Sequence, residues 1–263
     1  MNVTILGGDL RSVYLARRMA RDGHRVRCYG LEQAVECCGS LREAMEETEC
    51  VVLPTPAMDG DRLRTPLSQN TISPEVLAGL GPVPVFAGAP GPKLRAICPG
   101  LIDLLGVESL AAANADLTAE LALGPLLLET PFRLQGEPVL VLGSGRIAGA
   151  LAPRLRWLGA KVTVVARAPG SVHMPLSRLP HVLPGYRLVV NTIPARVLDT
   201  PLLKLLPTGA YLMELASAPG GFDQTAAETL GLHPIPAGGL PGRYAPESAA
   251  HIIADTIASL FGR

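Results

Sequence analysis

A glycine-rich turn between two apolar segments constrains the fold of this chain more than any other feature. Residues 139–142 read VLVL, residues 143–148 read GSGRIA and residues 161–165 read KVTVV. This order predicts strand, tight turn, helix and strand, the setting that the G-x-G-x-x-A dinucleotide-binding fingerprint requires. Gly143 permits the tight turn, and Gly145 has no Cβ, so a pyrophosphate can approach the helix N-terminus. The alternative is a glycine turn in an α/β domain that binds no nucleotide.

The side chain that follows the second strand indicates which dinucleotide the turn would hold. NAD-binding domains usually place Asp or Glu about 20 residues after the glycines, where it binds the ribose 2′-hydroxyl. Here Arg167 follows Gly145 by 22 residues. A guanidinium pairs with the 2′-phosphate that a carboxylate would repel. We therefore predict NADP as the cofactor and regard NAD as the weaker candidate. An ordinary solvated arginine at a strand end is the alternative.

The predicted cofactor contacts lie in the turn and just after neighbouring strands of the same domain. They are Gly143, Ser144, Gly145, Arg146, Ile147, Arg167, Asn191, Thr192 and Ile193. Asn191 ends a predicted strand, and ligands of doubly wound sheets bind outside the carboxyl ends of the strands. Its amide is therefore expected to hydrogen-bond the cofactor carboxamide or ribose, with loop capping as the alternative.

The composition argues against several classes of partner. The formal net charge at pH 7 is zero, from 23 basic and 23 acidic residues, so neither nucleic acid nor an anionic membrane surface is an expected partner. No apolar run reaches the roughly 18 residues of a membrane span. Only 17% of the residues are charged, which predicts surface buried between domains or between copies of the chain in a homo-oligomer.

The five cysteines and five histidines predict neither disulfides nor a metal site. The cysteine count is odd, no C-x-x-C spacing occurs, and the histidines show no ligand spacing. Residues 3–6 directly predict a first strand, with no signal peptide before it. These features favour reduced thiols and a cytoplasmic protein.

Strands alternate with helices in both halves of the chain, which predicts parallel, doubly wound sheets. We expect an α/β fold of two Rossmann-like domains. Residues 1–113 form an N-terminal substrate or partner domain, residues 114–135 a crossing helix and linker, and residues 136–245 the NADP-binding domain. The last helix, in residues 246–263, has apolar residues at helical spacing and is expected to pack back on the first domain.

Four passages carry a resemblance to a known family. They read GGDLR at 7–11, NTIP at 191–194, ELASAPGG at 214–221 and GLPGRYAP at 239–246. In this order and at these spacings, the chain resembles the A subunit of dipicolinate synthase, a family of spore-forming bacteria. The resemblance covers nearly the whole chain and is densest between residues 136 and 254.

The resemblance implies an activity, a partner and a location. The implied reaction is the NADP-linked oxidation of dihydrodipicolinate, a small dicarboxylate, to dipicolinate during sporulation. The flavoprotein-like B subunit of dipicolinate synthase is the implied partner, and the cytoplasm of the mother cell is the implied location. The crossing helix departs from the family pattern, because Leu117 and Leu121 stand where the family tends to carry Pro and Gly. These departures bear on the geometry of substrate binding.

The implied reaction needs a base to accept a proton from the substrate. Glu120 is the predicted base, because its Ala and Leu neighbours on the crossing helix would give it apolar surroundings, which suit a carboxyl group to proton transfer near neutral pH. An exposed helix residue is the alternative. Ser217, which can donate a hydrogen bond to substrate or cofactor, and Asn191 complete the predicted catalytic set.

The two substrate carboxylates need cationic or polar partners. Arg11 opens the first helix at the carboxyl edge of the first sheet and is the predicted clamp for one carboxylate. Arg243, after a glycine-rich turn, is the predicted second clamp, with a surface arginine as the alternative. Asn114 and Thr118 match the family pattern on the crossing helix and are the remaining predicted substrate contacts.

Two other functions fit the same motifs. One is a different two-domain NAD(P)-dependent oxidoreductase that acts on a small oxo, hydroxy or imino acid. The other is a nucleotide-binding protein with no chemistry of its own, which would keep Gly143 and Gly145 but need no base at Glu120.

Overall fold

The structure, a computed structural model, describes residues 1–167 and 173–261. The chain divides into two compact units, one formed by Met1–Asn114 with Gly242–Arg263 and the other by Ala115–Pro241. Each unit is built on a parallel sheet with helices between successive strands. The predicted α/β fold with two doubly wound parallel sheets is thereby confirmed.

Strands and α-helices alternate along most of the chain. The strands are β1 (Asn2–Leu6), β2 (Arg25–Tyr29), β3 (Cys50–Val52), β4 (Met58–Asp59), β5 (Arg62–Leu63), β6 (Val85–Ala87), β7 (Ile102–Asp103), β8 (Pro138–Leu142), β9 (Lys161–Ala166), β10 (Met174–Pro175), β11 (Leu188–Asn191), β12 (Tyr211–Glu214) and β13 (His233–Pro236). The α-helices are α1 (Leu10–Arg21), α2 (Leu41–Met45), α3 (Gly91–Ile97), α4 (Glu108–Glu129), α5 (Arg146–Trp157), α6 (Leu179–Val182), α7 (Thr200–Leu203), α8 (Gln224–Thr229), α9 (Leu240–Tyr244) and α10 (Pro246–Phe261).

The sheet of the N-terminal unit has the strand order β2-β1-β3-β6-β7, and its strands pair in parallel. In chain order this is 2-1-3-4-5, the flavodoxin-like order of a doubly wound sheet. The order reverses between β1 and β3, where Val3 lies opposite Cys50. The loops that leave the carboxyl ends of these two strands therefore flank the switch point of this unit.

The last helix packs on the first helix of the N-terminal unit. Val13 and Ala16 of α1 share a core with Ala250, Ala254 and Ile257 of α10. The small residues of α10 allow close approach, and the spacing of its apolar side chains at helical intervals keeps them on one face. The prediction that the C-terminal helix returns to the first domain is confirmed.

The sheet of the second unit has the strand order β10-β9-β8-β11-β12-β13, again with parallel pairing. In chain order this is 3-2-1-4-5-6, the order of the dinucleotide-binding Rossmann fold. Its switch point lies between β8 and β11, where Leu142 is opposite Asn191. Ala119, Ala122 and Leu126 of α4 are buried in the core of this unit.

None of the helices within residues 1–167 and 173–261 is both long and apolar enough to cross a membrane.

Candidate functional site

The glycine turn after β8 packs closely against the loop after β11. Gly143 has a φ of 111°, a conformation that L side chains rarely adopt. Its N–H donates a hydrogen bond of 2.8 Å to the Val165 carbonyl. A Cβ at this position would lie 2.3 Å from Thr192 Oγ1. That hydroxyl in turn donates to the Leu142 carbonyl at 2.7 Å. Gly143 is therefore required by backbone conformation and by the packing of Thr192.

Gly145 differs from Gly143 in both respects. It is the N-cap of α5 with φ −76° and ψ −173°, a region open to any residue. Within residues 1–167 and 173–261, no atom other than those of its two chain neighbours lies within 4 Å of the position that a Cβ would occupy. Gly145 is exposed, and the first backbone N–H groups of α5 have no carbonyl partner within the helix. The space beside Gly145 is therefore open to an anion at a helix N-terminus.

The other predicted contacts of the turn lie around this open space. Ser144 and Arg146 are exposed, whereas Ile147 is half-buried and packs on the core of the unit. Ala148 is buried in the same core, where its small side chain allows close packing of helix on strand. The turn thus presents polar groups outward and anchors itself through the two residues that follow Arg146.

Arg167 follows the carboxyl end of β9 and is exposed. Strand β9 pairs with β8 in a register that sets Val165 opposite Leu142. Arg167 and the glycine turn therefore leave the same edge of the sheet from adjacent strands. This is the placement in which a side chain after the second strand can reach the ribose of a dinucleotide.

Asn191 is placed differently from the prediction. Its side chain is 0% exposed. The Nδ2 group donates to the Glu214 carboxylate at 2.7 Å and to the Ile193 carbonyl at 3.0 Å. The Oδ1 atom accepts from the Ile193 N–H at 3.1 Å. Direct contact between this amide and a cofactor, which the sequence predicted, is therefore corrected to loop capping, because the polar atoms are buried and already bonded.

Ser217 lies in the loop after β12 and is exposed. Its carbonyl accepts a hydrogen bond of 3.1 Å from the Gly220 N–H, which closes a turn over residues 217–220. Ile193 and Thr192 begin the loop after the neighbouring strand β11. The structure thus brings these three predicted residues to the carboxyl edge of the sheet that also carries the glycine turn.

Arg11 is already paired within the N-terminal unit. Its Nε and Nη2 donate to the two carboxylate oxygens of Asp9 at 3.0 and 2.8 Å, and Nη2 also donates to the Thr55 carbonyl. Burial raises the pKa of Asp9, but the hydrogen bonds and charge of Arg11 outweigh it, so the pKa lies below its ordinary value. A Cβ on Gly242 would lie 2.9 Å from Arg11 Nε. Arg11 is thus a half-buried, oriented guanidinium at the switch point of its unit.

The remaining predicted substrate residues have different environments. Asn114 lines a cavity of about 10 Å³ together with Arg11 and Thr55. Thr118 is buried on α4. Arg243 is exposed, and its guanidinium carbon lies 5.1 Å from the centre of the Tyr244 ring. The structure therefore brings Asn114 to Arg11, and it places Arg243 on a neighbouring aromatic side chain.

Glu120 is exposed on α4. The apolar surroundings that the sequence predicted for its carboxyl group are therefore not found, because the Ala and Leu residues near it in sequence point to other faces of the helix. Its assignment as a base stays a prediction.

No group of three or more His, Cys, Asp or Glu side chains in the described parts of the chain is arranged to hold a metal ion. Cys28 and Cys50 are buried in the core of the N-terminal unit, and burial raises the pKa of each thiol to about 12. These two thiols are therefore structural rather than nucleophilic.

Sequence reasoning missed two carboxylates that organise loops. No pattern in the first turn indicates that Asp9 pairs with Arg11 two residues later. Glu214 reads in the sequence only as the end of a strand, although its side chain is 8% exposed and carries an ionisable group. A charged residue directly after three strand residues is a signal that could have identified Glu214.

The comparisons with known proteins extend over the whole chain. Residues 2–101 match the family model of the N-terminal domain of the dipicolinate synthase A subunit. The dipicolinate synthase A subunit of Bacillus subtilis (strain 168) is 26% identical over 285 aligned positions, which cover 99% of this chain and 95% of that protein.

Two solved structures show the same similarity. The dipicolinate synthase A subunit from Bacillus halodurans superposes with a TM-score of 0.89 at 26% identity, and the match covers 100% of this chain and 98% of that one. The A chain of dipicolinate synthase from Bacillus subtilis gives a TM-score of 0.88 at 25% identity over 100% and 96% of the two chains. The resemblance to the A subunit of dipicolinate synthase that the motifs predict is thereby confirmed, in sequence and in fold.

Proposed function

We propose that this chain is an NADP-dependent oxidoreductase that converts dihydrodipicolinate to dipicolinate together with the B subunit of dipicolinate synthase. The observation that carries the proposal is the fingerprint turn at the switch point of a sheet with Rossmann strand order, in a chain similar to the dipicolinate synthase A subunit. The name of that relative supplies the product, dipicolinate, and implies a further subunit, whereas the substrate and the cofactor are part of the proposal.

The residues of the second unit fit a dinucleotide. In the part of the chain that the structure describes, a Cβ on Gly145 would meet no atom beyond its chain neighbours within 4 Å, and this space leaves room for a pyrophosphate at the N-terminus of α5. Ser144 and the backbone N–H groups of Arg146 and Ile147 would hold it. Thr192, Ile193 and Ser217 would face the nicotinamide half, since their loops leave the carboxyl ends of β11 and β12. When bound, NADP supplies the hydride acceptor.

Arg167 supports NADP over NAD. It is exposed and follows the strand next to the glycine turn. A guanidinium there pairs with a 2′-phosphate and gains nothing comparable from a 2′-hydroxyl.

The substrate carboxylates would bind to arginines of the N-terminal unit. Asp9 and the Thr55 carbonyl occupy the Nε and Nη2 donors of Arg11. Nη1, for which the described residues give no hydrogen bond, would bind a substrate carboxylate, and Asn114 lines the same small cavity as Arg11. Asp9 thus orients the Arg11 guanidinium and holds its positive charge in one place, which favours an anionic substrate. Arg243 would bind the second carboxylate.

Proton transfer would fall to Glu120. Its carboxylate is exposed, so it can exchange the accepted proton with solvent after each turnover. Oxidation of the dihydropyridine ring gains aromaticity, and the protein therefore has mainly to position the reacting groups.

One assay tests the proposed reaction. The pure chain is incubated with enzymatically generated dihydrodipicolinate and NADP, with and without the B subunit, while NADPH and pyridine dicarboxylate absorbance are recorded. Both products are expected to form in equal amounts when the B subunit is present. A Gly145→Val chain, whose side chain would occupy the open space, is expected to lose NADP binding and activity while keeping its circular dichroism spectrum.

Two results would overturn the proposal. NADP binding with no oxidation of dihydrodipicolinate, even with the B subunit present, would point to a different small acid as substrate. Parent-like NADP affinity in Gly145→Val would remove the nucleotide site from the glycine turn.

A further inference from the structure

A buried carboxylate joins the two loops beside the proposed nicotinamide position. Glu214 ends β12 and is 8% exposed. Its Oε1 accepts from Asn191 Nδ2 at 2.7 Å and from the Ala216 N–H at 3.0 Å. Its Oε2 accepts from the Gly221 N–H at 2.7 Å. These three donors are uncharged, so hydrogen bonds rather than an ion pair hold this carboxylate.

The same two loops are also tied through their backbones. The Leu215 N–H donates to the Asn191 carbonyl at 3.0 Å. The Gly221 carbonyl accepts from the N–H groups of Val197 and Leu198, each at 2.9 Å. The loop after β11 and the loop after β12 therefore form one hydrogen-bonded body, with the Glu214 carboxylate at its centre.

The glycines of the second loop allow this close approach. A Cβ on Gly221 would lie 2.3 Å from Asn191 Nδ2, and a Cβ on Gly220 would lie 3.0 Å from Glu214 Oε2. Gly220 also has a φ of 76°, which favours glycine. The backbone must come this close for the Gly221 N–H to reach the carboxylate.

Only a carboxylate satisfies this set of donors. An ionised Glu is acceptor-only on both oxygens, whereas a glutamine amide in the same place has one acceptor oxygen and one NH₂ donor. Such an amide would accept on the side of Asn191 and Ala216 and would turn a donor toward the Gly221 N–H. Removing one partner from a buried hydrogen-bond network leaves the other unsatisfied.

We propose that Glu214 is a positioning residue, which holds the loops carrying Thr192, Ile193 and Ser217 in the shape that receives the nicotinamide half of the cofactor. The inference rests on the proposed function for the identity of the ligand. The ordering of the loops does not depend on that identity. Glu214 touches neither cofactor nor substrate and acts through Asn191 and the Gly221 N–H.

The matched control is Glu137 of the same unit. It is also 8% exposed, and its oxygens accept from Arg187 Nε at 2.8 Å and Nη2 at 2.6 Å. Glu137 precedes β8 and Arg187 precedes β11, so this pair lies at the amino edge of the sheet, away from the glycine turn. Glu137→Gln perturbs a buried carboxylate of equal exposure without touching the loops.

The test compares Glu214→Gln and Glu137→Gln in the full chain. Hydrogen exchange without ligand is expected to rise at residues 192–198 and 215–223 only in Glu214→Gln. NADP affinity, measured by titration calorimetry, is expected to fall about tenfold or more in Glu214→Gln, the usual scale for losing the support of a binding group. In Glu137→Gln it should stay within about twofold of parent, even where the melting temperature falls.

Gly221→Ala provides a second perturbation, because its Cβ displaces the Asn191 amide without changing any charge. It is expected to raise exchange in the same two segments. Unchanged exchange in both Glu214→Gln and Gly221→Ala would overturn the positioning role, as would equal loss of NADP affinity in the two glutamate variants. If the parent chain bound no NADP, the proposed function would fail while the exchange result still decided the loop role.

Discussion

The two glycines of the fingerprint should respond in opposite ways to the addition of a methyl group. Gly143→Ala places a Cβ at a φ of 111°, 2.3 Å from Thr192 Oγ1. Gly145→Ala places one at a φ of −76°, where no described residue other than its chain neighbours has an atom within 4 Å. The first change should destabilise the second unit, whereas the second should leave its stability close to parent.

The expected loss for Gly143→Ala has two parts. A non-glycine residue in the left-handed region costs about 1–2 kcal/mol. Thr192 must also move, and its hydrogen bond to the Leu142 carbonyl, now 2.7 Å long, contributes about 1 kcal/mol. The free energy of unfolding should therefore fall by about 2–3 kcal/mol. For Gly145→Ala the free energy of unfolding should fall by less than about 1 kcal/mol, because alanine is a less favourable N-cap than glycine.

Urea unfolding followed by circular dichroism measures both values, and hydrogen exchange of β8 and β11 assigns the transition to the second unit. A Thr192→Ala background removes the clashing hydroxyl. Gly143→Ala should therefore cost about 1 kcal/mol less in that background than in the parent. The backbone strain and the 3.1 Å approach of the new Cβ to Ile193 Cγ1 should remain. Equal losses for Gly143→Ala and Gly145→Ala, or no relief in the Thr192→Ala background, would refute the reasoning.

Three further predictions concern charged side chains. Arg167→Asp should weaken NADP binding by roughly 10- to 100-fold, the usual contribution of charge-assisted hydrogen bonds, and should leave NAD binding unchanged in titration calorimetry. Arg133→Asp, at a position before β8, is the control. Equal effects of Arg167→Asp on both cofactors, or the same loss of NADP affinity in the control, would contradict the prediction. Glu120→Gln should lower kcat by about 10²-fold at unchanged NADP affinity. The control Glu129→Gln, on the same helix, should leave kcat unchanged. If kcat fell only a few-fold in Glu120→Gln, Glu120 would not be the base. Because the pKa of Asp9 is lowered in the folded chain, its ionised carboxylate stabilises the fold fully above the ordinary carboxyl pKa, and this stabilisation is lost as the pH falls through the folded-state pKa, below about pH 4. The stability of Asp9→Asn, measured against pH, should lack this loss. If Asp9→Asn lost stability in acid as the parent does, the role of Asp9 would be refuted.

Periodic and punctuated segments can be predicted from the sequence because local signals fix them. The residue pattern predicts a first helix that opens at Arg11 and a last helix in residues 246–263, and the structure has α1 at Leu10–Arg21 and α10 at Pro246–Phe261. Each has a strong start signal, Asp9 as N-cap in one and Pro246 in the first turn of the other. The glycine turn is recognisable for the same reason, since its chemistry is contained in six consecutive residues.

Short strands and contacts between loops cannot be predicted in the same way. The strands β7 and β10 contain two residues each, too few for a period to show, and they form only because a parallel neighbour lies beside them. The bond between Glu214 and the Gly221 N–H joins residues on either side of a loop. This bond depends on where the backbone of β11 lies, and a local sequence pattern does not indicate that position.

The exposure of Glu120 shows a related limit. Its neighbours in sequence are apolar, and sequence proximity suggests apolar surroundings. On a helix, however, adjacent residues point about 100° apart. Ala119 and Ala122 enter the core of the second unit, while Glu120 faces outward. The composition of α4 therefore describes the helix as a whole and not the environment of this one side chain.

The two units place different N-caps at corresponding turns, and this difference explains why one of them suits a dinucleotide. In each unit the first strand of the sheet leads through glycines into a helix at the switch point. In the N-terminal unit the N-cap is Asp9, whose carboxylate accepts from the Arg11 N–H and pairs with the Arg11 guanidinium. A negative group thus already occupies the positive end of α1, and a phosphate there would meet like charge. In the second unit the N-cap is Gly145, with no side chain and open space beside it, so the end of α5 is left to an external anion. The choice of N-cap residue, more than the strand order, therefore supports our proposal that the nucleotide binds to the second unit and that the oriented arginine of the first unit binds a carboxylate substrate.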